Sequence, residues 1–528
     1  MELQHKLARL RAQRGWSQEK LAEELGVSRQ AVQKWERGAG TPDLENLIKL
    51  AKRFNVSMDA LLLDSDQRVL EEMHKDTLIQ PEYGMQHKWE SYAAQLDIEY
   101  TQTFEEGKDI APYAELFNQI HKMPADSHKI RMADVLFDLV QALPQRSDYA
   151  YNEPSDLSAI RALRPENREE KANLPERGTL LDRLRGAWFG RIAGCLLGKP
   201  IEGIRTEELH SLLRESGNWP MHRYILSTDI TEEMMQKYNY RLEGKCWADT
   251  IFCAPSDDDT NYMVLAQVLI DECGRDFTPR DVGRIWLDYQ PKKAYCTAER
   301  VAFCNLVKGY LPPNSAKFQN PYREWIGAQI RGDYFGYINP GNPELAAEMA
   351  WRDASISHIK NGIYGEMFIS AMIAQAAVEQ DIEKIIQAGL NQIPVSSRLY
   401  EAVQTILAFY HQGISQTECA AKIHQMYDEH TAHGWCHTIS NAMIVAMALL
   451  YGGGDYGKSI CLAVQTGFDT DCNGATVGSI LGMRGGEKAI DEAWLRPLNG
   501  QLDTQIFGID RVDIRKMAER TLSHIEMK

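Results

Sequence analysis

The chain has 528 residues, 44% of them hydrophobic and 25% charged, and a formal net charge of −16. That length allows two or more domains around a large core, and the composition is ordinary for globular proteins. The acidic balance excludes nucleic-acid binding over most of the surface, but not in one small module, because residues 1–66 are close to charge balance and the deficit lies in the remainder.

The cysteines all fall between Cys195 and Cys472, and none forms a C-x-x-C pair. Zinc-ribbon and thioredoxin-like readings therefore have no support. Residues 1–20 form a charged amphipathic pattern, not a signal peptide. Apolar runs such as 442–451 fall short of the ~20 residues that cross a bilayer. A reduced, soluble, cytoplasmic protein without membrane contact is expected.

In residues 1–66, Leu3, Leu7 and Leu10 recur at helical spacing. Ser17 suits the N-cap of a helix over 18–25, and Gly26 the left-handed position that ends it. Ser28 caps a following helix over 29–37, so three residues separate the pair, as in a helix-turn-helix. Further helices are predicted through Phe54 and over 56–61. Leu21, Ala22, Val27, Val32 and Trp35 are the candidate core. Residues 16–22, 26–28 and 31–38 closely resemble the Cro/lambda-repressor-like DNA-binding domain. The resemblance implies a five-helix head whose second motif helix enters the major groove. Gln18, Arg29, Gln30, Gln33 and Lys34 would then face DNA, with glutamine suited to adenine and arginine or lysine to guanine or phosphate. One such head binds weakly, so a homodimer on a two-fold operator is expected.

Residues 67–88 read as a linker, since Pro81-Glu82-Tyr83-Gly84 breaks any helix. Residues 89–176 read as a helical lead-in, with periodic apolar residues over 132–140 and a charged, proline-bounded stretch over 165–177. The sequence leaves open whether 89–165 is a separate domain or the first layer of the next.

Residues 177–528 read as all-α. Gly186, Gly190, Gly194 and Gly198 recur every four residues, as do Gly474, Gly478 and Gly482. A mid-helix glycine costs about 1 kcal/mol relative to alanine, so each ridge implies close backbone packing, with a site where the helices meet. Two acidic stretches flank these elements: Asp257-Asp258-Asp259, and Asp469 with Asp471. Adjacent carboxylates repel unless they are solvated or share a cation, and hard ions such as magnesium prefer oxygen ligands. The two stretches are expected to meet and hold metal.

The body is similar to the ADP-ribosylglycohydrolases, the dinitrogen-reductase-activating glycohydrolase and crystallin-like family. The match rests on residues 182–202, 257–262 and 467–475, with 353–365 between them. The resemblance implies a large orthogonal helical domain holding two Mg2+, with Mn2+ as the alternative. Its ligands map onto Asp257, Asp258, Asp259, Asp469, Asp471 and Cys472. Glu202 matches the acidic position beside the substrate's ribose and would be the general base, with Asp258 and Asp471 also catalytic. His358, Tyr337 and His437 are candidate substrate contacts, with Asn441 on the same helical face as His437. Three departures stand out. Asp257 occupies a position that is Thr in many members, which adds charge and should not weaken the binding of a hard cation. Cys472 occupies a position usually Thr or Ser; a thiol is a poor magnesium ligand, so it either packs inward or alters the second metal position. Residues 332–343 replace the family's Gly-Asn-Gly segment, leaving room for a smaller N-riboside or nucleotide. The implied activity is metal-dependent hydrolysis of an N-glycosidic bond to ribose by an enzyme tethered to DNA. The alternative is a transcription regulator whose body senses a ribosyl metabolite without turnover.

Overall fold

A computed structural model describes residues 3–56, 58–62, 81–166, 173–238 and 245–527. Positions 67–80 of the expected linker and 167–172 of the charged stretch lie outside the described residues. The chain divides into two compact units, Met1–Tyr83 and Gly84–Lys528.

In the first unit, short polar side chains set the helix boundaries. The helices are α1 (Leu3–Gln13), α2 (Gln18–Leu25), α3 (Arg29–Glu36), α4 (Leu44–Phe54) and α5 (Met58–Leu62). The Ser17 hydroxyl accepts the Lys20 N–H at 3.1 Å, and the Ser28 hydroxyl accepts that of Ala31 at 3.2 Å. Both are N-caps satisfying otherwise orphaned donors. Gly26 (φ 70°) ends α2 in the left-handed region. Leu7, Leu21, Leu25, Val32, Leu50 and Phe54 form the core, with Val27 only half-buried against it.

The second unit begins with the lead-in layer, which therefore belongs to the body. Helices α6 (Leu96–Glu105) and α7 (Ser127–Ala142) share a small core of Leu96, Phe117, Ile120, Leu136 and Val140. Buried charges join this layer to the body. Arg323 pairs with Glu99 at 2.9 Å and with Glu106, which also takes Lys360 at 2.9 Å. Arg398 pairs with Glu153 at 2.9 Å and Glu324 at 2.7 Å.

The body is built on α8 (Arg177–Gly198), α9 (Asp258–Cys273), α10 (Lys360–Ala376), α11 (Thr438–Gly452) and α12 (Thr470–Gly485). Helices α10, α11 and α12 are buried nearly all round, as expected of helices without a polar face. The strands among the described residues form one antiparallel hairpin, β1 (Gln501–Ile506) with β2 (Ile509–Asp513), in which Leu502 faces Val512. Its outer edge holds the loop before α9: the Ala254 N–H donates to Gln501 at 3.0 Å, and the Asp503 N–H donates back at 2.9 Å.

The two glycine ridges face each other, antiparallel. A Cβ on Gly186 would stand 2.3 Å from the carbonyl oxygen of Gly482, one on Gly190 2.3 Å from that of Gly478, and one on Gly194 2.0 Å from that of Gly474. The backbones of α8 and α12 are thus in direct contact.

Gly190→Ala is expected to destabilise the second unit by about 3 kcal/mol or more, since the added methyl meets backbone that cannot turn aside. On the same helix Gly178 is exposed with open space about it, so Gly178→Ala should be neutral or stabilising by about 0.5–1 kcal/mol. Removing the charge at Arg323 leaves Glu99 and Glu106 buried without it, so Arg323→Leu should cost about 3–5 kcal/mol. Urea unfolding midpoints at unchanged m-value measure all three.

Candidate active site

The crossing of α8 on α12 brings the end of one helix to the start of the other. A Cβ on Gly198 would meet the carbonyl carbon of Thr470 at 2.3 Å. Lys199 and Glu202, which follow α8, therefore lie near Asp469, Asp471 and Cys472, which open α12. The other acidic stretch opens α9, where Asp257 is the N-cap and accepts the Asp259 N–H at 2.9 Å. Both sets sit at helix N-termini, whose partial positive charge favours carboxylates. Before α12 the chain turns through Gly467 (φ 84°) and Phe468 (φ 56°), a left-handed conformation that is strained at phenylalanine. Asn441 on α11 steadies the start of α12: its side-chain oxygen accepts the Asp469 N–H at 3.3 Å and an Asn473 side-chain N–H at 2.8 Å.

A cavity of about 310 Å³ is lined by Lys199, Glu202, Asp257, Asp258, Asp469, Asp471 and Cys472, with Glu299, Trp89 and Trp435 among its further walls. Asp259 lies behind it, fully buried, paired at 2.8 Å with Arg191, which also holds Asp333 at 2.7 Å. One ligand atom each from Cys195, Asp257, Asp259 and Asp471 lie within 4.8 Å of one another, and so do those of Asp469, Asp471 and Cys472. Asp471 belongs to both groups. Oδ2 of Asp259 and Oδ1 of Asp471 are buried without a hydrogen-bond partner.

The electrostatics reflect crowding. Burial, reinforced by neighbouring carboxylates, raises Asp258 and Asp469 well above the usual carboxylate range. Burial raises Asp259 likewise, against the opposing charge of Arg191. Asp471 is pushed up to about 6 by burial and the charge of Asp257. Asp257 differs: burial would raise it, but the Lys199 ammonium on its carboxylate outweighs that and lowers it. Glu202 is open to solvent at the mouth, yet the charge of Asp471, then burial of its carboxyl, raises it well above its ordinary value. Paired orphan oxygens among mutually repelling carboxylates fit a divalent cation, and two overlapping donor groups sharing one carboxylate fit two.

Three expected substrate contacts lie elsewhere. Tyr337 is fully buried, its hydroxyl 2.7 Å from that of Ser479 and its ring against Trp188, because its short helix is interior to the body. His358 is also fully buried, with Nδ1 on the Ser357 hydroxyl at 2.8 Å, and lines a separate cavity beside Pro312 and Trp351. His437 caps α11 by accepting the Ile439 N–H at 3.2 Å and lies by Glu105 and His433, beside the wall residue Cys436. Trp325 is core, donating its indole N–H to His433 at 3.1 Å. Sequence reasoning missed Cys195, Arg191, Lys199, Glu299, Trp89 and Trp435. Cys195, Arg191 and Lys199 lie within or beside the glycine-ridge motif and were legible there, whereas Glu299 and the two tryptophans carry no local signal.

In the first unit, Arg29, Gln30 and Lys34 are exposed on α3 and Gln33 is half-buried. Arg29 pairs with Glu19 at 2.8 Å, and the Gln18 amide donates to Glu36 at 2.8 Å, locking α2 to α3.

Comparison with known proteins adds two family matches: residues 176–528 match the model for ADP-ribosylglycohydrolase, and residues 7–61 the model for helix-turn-helix. Among curated proteins, an HTH-type transcriptional activator, BcrR of Enterococcus faecalis, is 48% identical over 62 residues, which are 12% of this chain and 30% of that one. The cryptic phage CTXphi transcriptional repressor RstR of Vibrio cholerae is 36% identical over 61 residues, 12% of this chain and 54% of that one. This chain therefore spans a third to about half of the length of those regulators. An uncharacterized protein of Archaeoglobus fulgidus is 23% identical over 323 residues, 60% of this chain and 92% of that one. A solved structure titled an ADP-ribosylglycohydrolase-related protein complex aligns with TM-score 0.42 and 18% identity, covering 66% of this chain and 99% of that one. No helix among the described residues is long and apolar enough to cross a membrane. On the extent of the first match, the chain belongs to the ADP-ribosylglycohydrolase family, and it carries a helix-turn-helix DNA-binding domain ahead of the family domain.

Proposed function

We propose that the second unit hydrolyses an N-glycosidic bond to ribose, in ADP-ribosylated protein or a small ADP-riboside or nucleoside, and depends on two divalent cations, Mg2+ or Mn2+. The observation that carries this reading is the convergence of the two acidic stretches on one cavity with Glu202 at its mouth. Asp257, Asp258, Asp259, Asp469 and Asp471 would hold the ions. When bound, these supply Lewis-acid charge that orients ribose hydroxyls and stabilises an oxocarbenium-like transition state.

The chain's own residues supply the rest. Glu202, which lines the cavity and is open to solvent, would take the proton of the attacking water. Asp258, half-exposed in the cavity, can accept a hydrogen bond from a ribose hydroxyl. The buried indole N–H of the wall residue Trp435 has no hydrogen-bond partner among the described residues, and would be a donor to a ligand that reached it. A cavity of about 310 Å³ lies at the small end of ligand sites, which favours a compact ribosyl group over an extended one.

The head would tether this activity to an operator, as a homodimer. Gln30 and Gln33 would read bases, while Arg29 and Lys34 would reach phosphate or guanine.

A second reading has one observation in its favour. Lys199 already neutralises Asp257, as suits a body that senses a ribosyl metabolite and regulates transcription without turnover.

Turnover of ADP-ribosyl substrates and nucleosides with Mg2+ or Mn2+ separates the two. Hydrolysis should stop on chelation and return with metal. Glu202→Gln should lower kcat by about 10²–10⁴-fold with metal binding intact, whereas Asp471→Asn should lose the metal as well. No turnover, together with ligand-dependent release from DNA, would favour the sensor. For the head, Gln33→Ala should cost about 1–3 kcal/mol at the operator, and Lys34→Ala should lower the slope of log affinity against log salt by about 1.

A further inference from the structure

Each of the two overlapping donor groups contains one thiol. Cys195 stands with Asp257, Asp259 and Asp471, and Cys472 with Asp469 and Asp471. Cys195 is on α8 one residue past Gly194, within the backbone contact of α8 with α12, and Cys472 is in the first turn of α12. The crossing that assembles the carboxylates therefore delivers both sulfurs. Both are free, at 3% and 6% exposure, and Cys472 also lines the cavity. Two ligands on opposite sides of one ion, with bonds of ~2.0–2.3 Å, stand roughly 4.6 Å apart at most. Ligand atoms within 4.8 Å thus nearly span a single coordination sphere as they stand. The buried orphan oxygens, Asp259 Oδ2 and Asp471 Oδ1, are an independent feature that a cation would satisfy.

We propose that Cys195 and Cys472 are metal ligands, one at each cation position, and that the centre prefers borderline first-row ions such as Mn2+, Fe2+, Co2+ or Zn2+ to Mg2+. This deepens the metal-dependent reading above and rests on it. Magnesium demands oxygen ligands in near-ideal octahedral geometry and gains little from a thiol. Borderline ions accept carboxylate and thiolate together, with affinity rising from Mn2+ through Fe2+ to Co2+. Each thiol that binds gives up its proton to solvent as the ion enters. The departure of Cys472 from the family's usual hydroxyl then marks a change of ion, not a lost site.

Cobalt substitution tests this on the full-length protein without reference to turnover. Metal-free protein titrated with Co2+ should show a near-ultraviolet sulfur-to-cobalt charge-transfer band in addition to its visible ligand-field bands. Cys195→Ser and Cys472→Ser, which are nearly isosteric, should each remove part of that band, and the double variant all of it. Cys436→Ser, at another wall of the cavity, should leave it intact. In competition dialysis the Co2+-over-Mg2+ preference should fall by about tenfold or more in the double variant, ~1.4 kcal/mol. Co2+ bound without a charge-transfer band, or with one that survives the double substitution, overturns the thiol ligation and leaves a carboxylate centre standing. Failure of the unmodified protein to bind Co2+, Mn2+ or Mg2+ at all overturns the metal reading itself.

Discussion

The site depends on a contact between two backbones. Helices α8 and α12 approach so closely that a single methyl on Gly194 would stand 2.0 Å from the Gly474 carbonyl oxygen. Glycine at these positions costs about 1 kcal/mol each in helix propensity, which the packing of the two bare ridge faces must offset. The gain is positional. Lys199 and Glu202 leave α8 just where Asp469, Asp471 and Cys472 enter α12, and Asp257 to Asp259 open α9 beside them. Productive metal and substrate geometry tolerates errors of about 0.5 Å. A pair of helices touching through backbone has no side chains between them that can repack, so it sets that geometry more rigidly than an ordinary interface.

Charge is the second constraint. Carboxylates from two parts of the chain share one buried region, and the basic groups paired with them are Arg191 and Lys199. Arg191 is committed to structure, because it also holds Asp333 and donates to the Asp259 carbonyl at 2.8 Å. It ties α8 to α9 and leaves Asp259 one free oxygen. Lys199 is less committed. It is half-exposed, on a flexible stem, and bound to Asp257 alone among the pairs of the site. An arriving cation can displace a lysine from a carboxylate far more readily than a fully buried arginine held by two carboxylates at once. The arrangement thus separates a fixed charge that maintains the fold from a movable one beside the proposed cation positions.

Much of this was legible in the sequence, and the physical reasons differ by residue. The helices of the head were readable because Ser17, Gly26 and Ser28 announce their own boundaries through local hydrogen bonds and left-handed backbone. The glycine ridges and the acidic stretches were readable because both are costly patterns that need a compensating partner. The antiparallel register in which the ridges meet was not, since nothing local encodes it. Tyr337, His358 and His437 do not line the cavity; a residue type suited to ligand contact is equally suited to a satisfied interior position, and only tertiary burial separates the two. The hairpin at Gln501–Asp513 was missed because its strands are short and mixed in polarity.

The lead-in layer could be taken for a spacer, since it lies between the two regions that match known families. Its contacts argue otherwise. Trp89 lines the cavity, held over Arg300 at 5.1 Å. Glu105, at the end of α6, binds His433 at 3.0 Å, two residues before the wall residue Trp435 and eight before Asn441, which supports Asp469. Replacing buried ion pairs with apolar contacts is often neutral or stabilising, so the Arg323 and Arg398 networks are poorly explained as glue alone. They do something apolar packing does less well: they accept one register of the layer on the body and penalise any slip, because a shifted layer would leave several buried charges unpaired. A wall that includes Trp89 needs that register. The lead-in layer therefore forms part of the pocket, and in this protein the boundary of the candidate site lies upstream of the boundary of the family match.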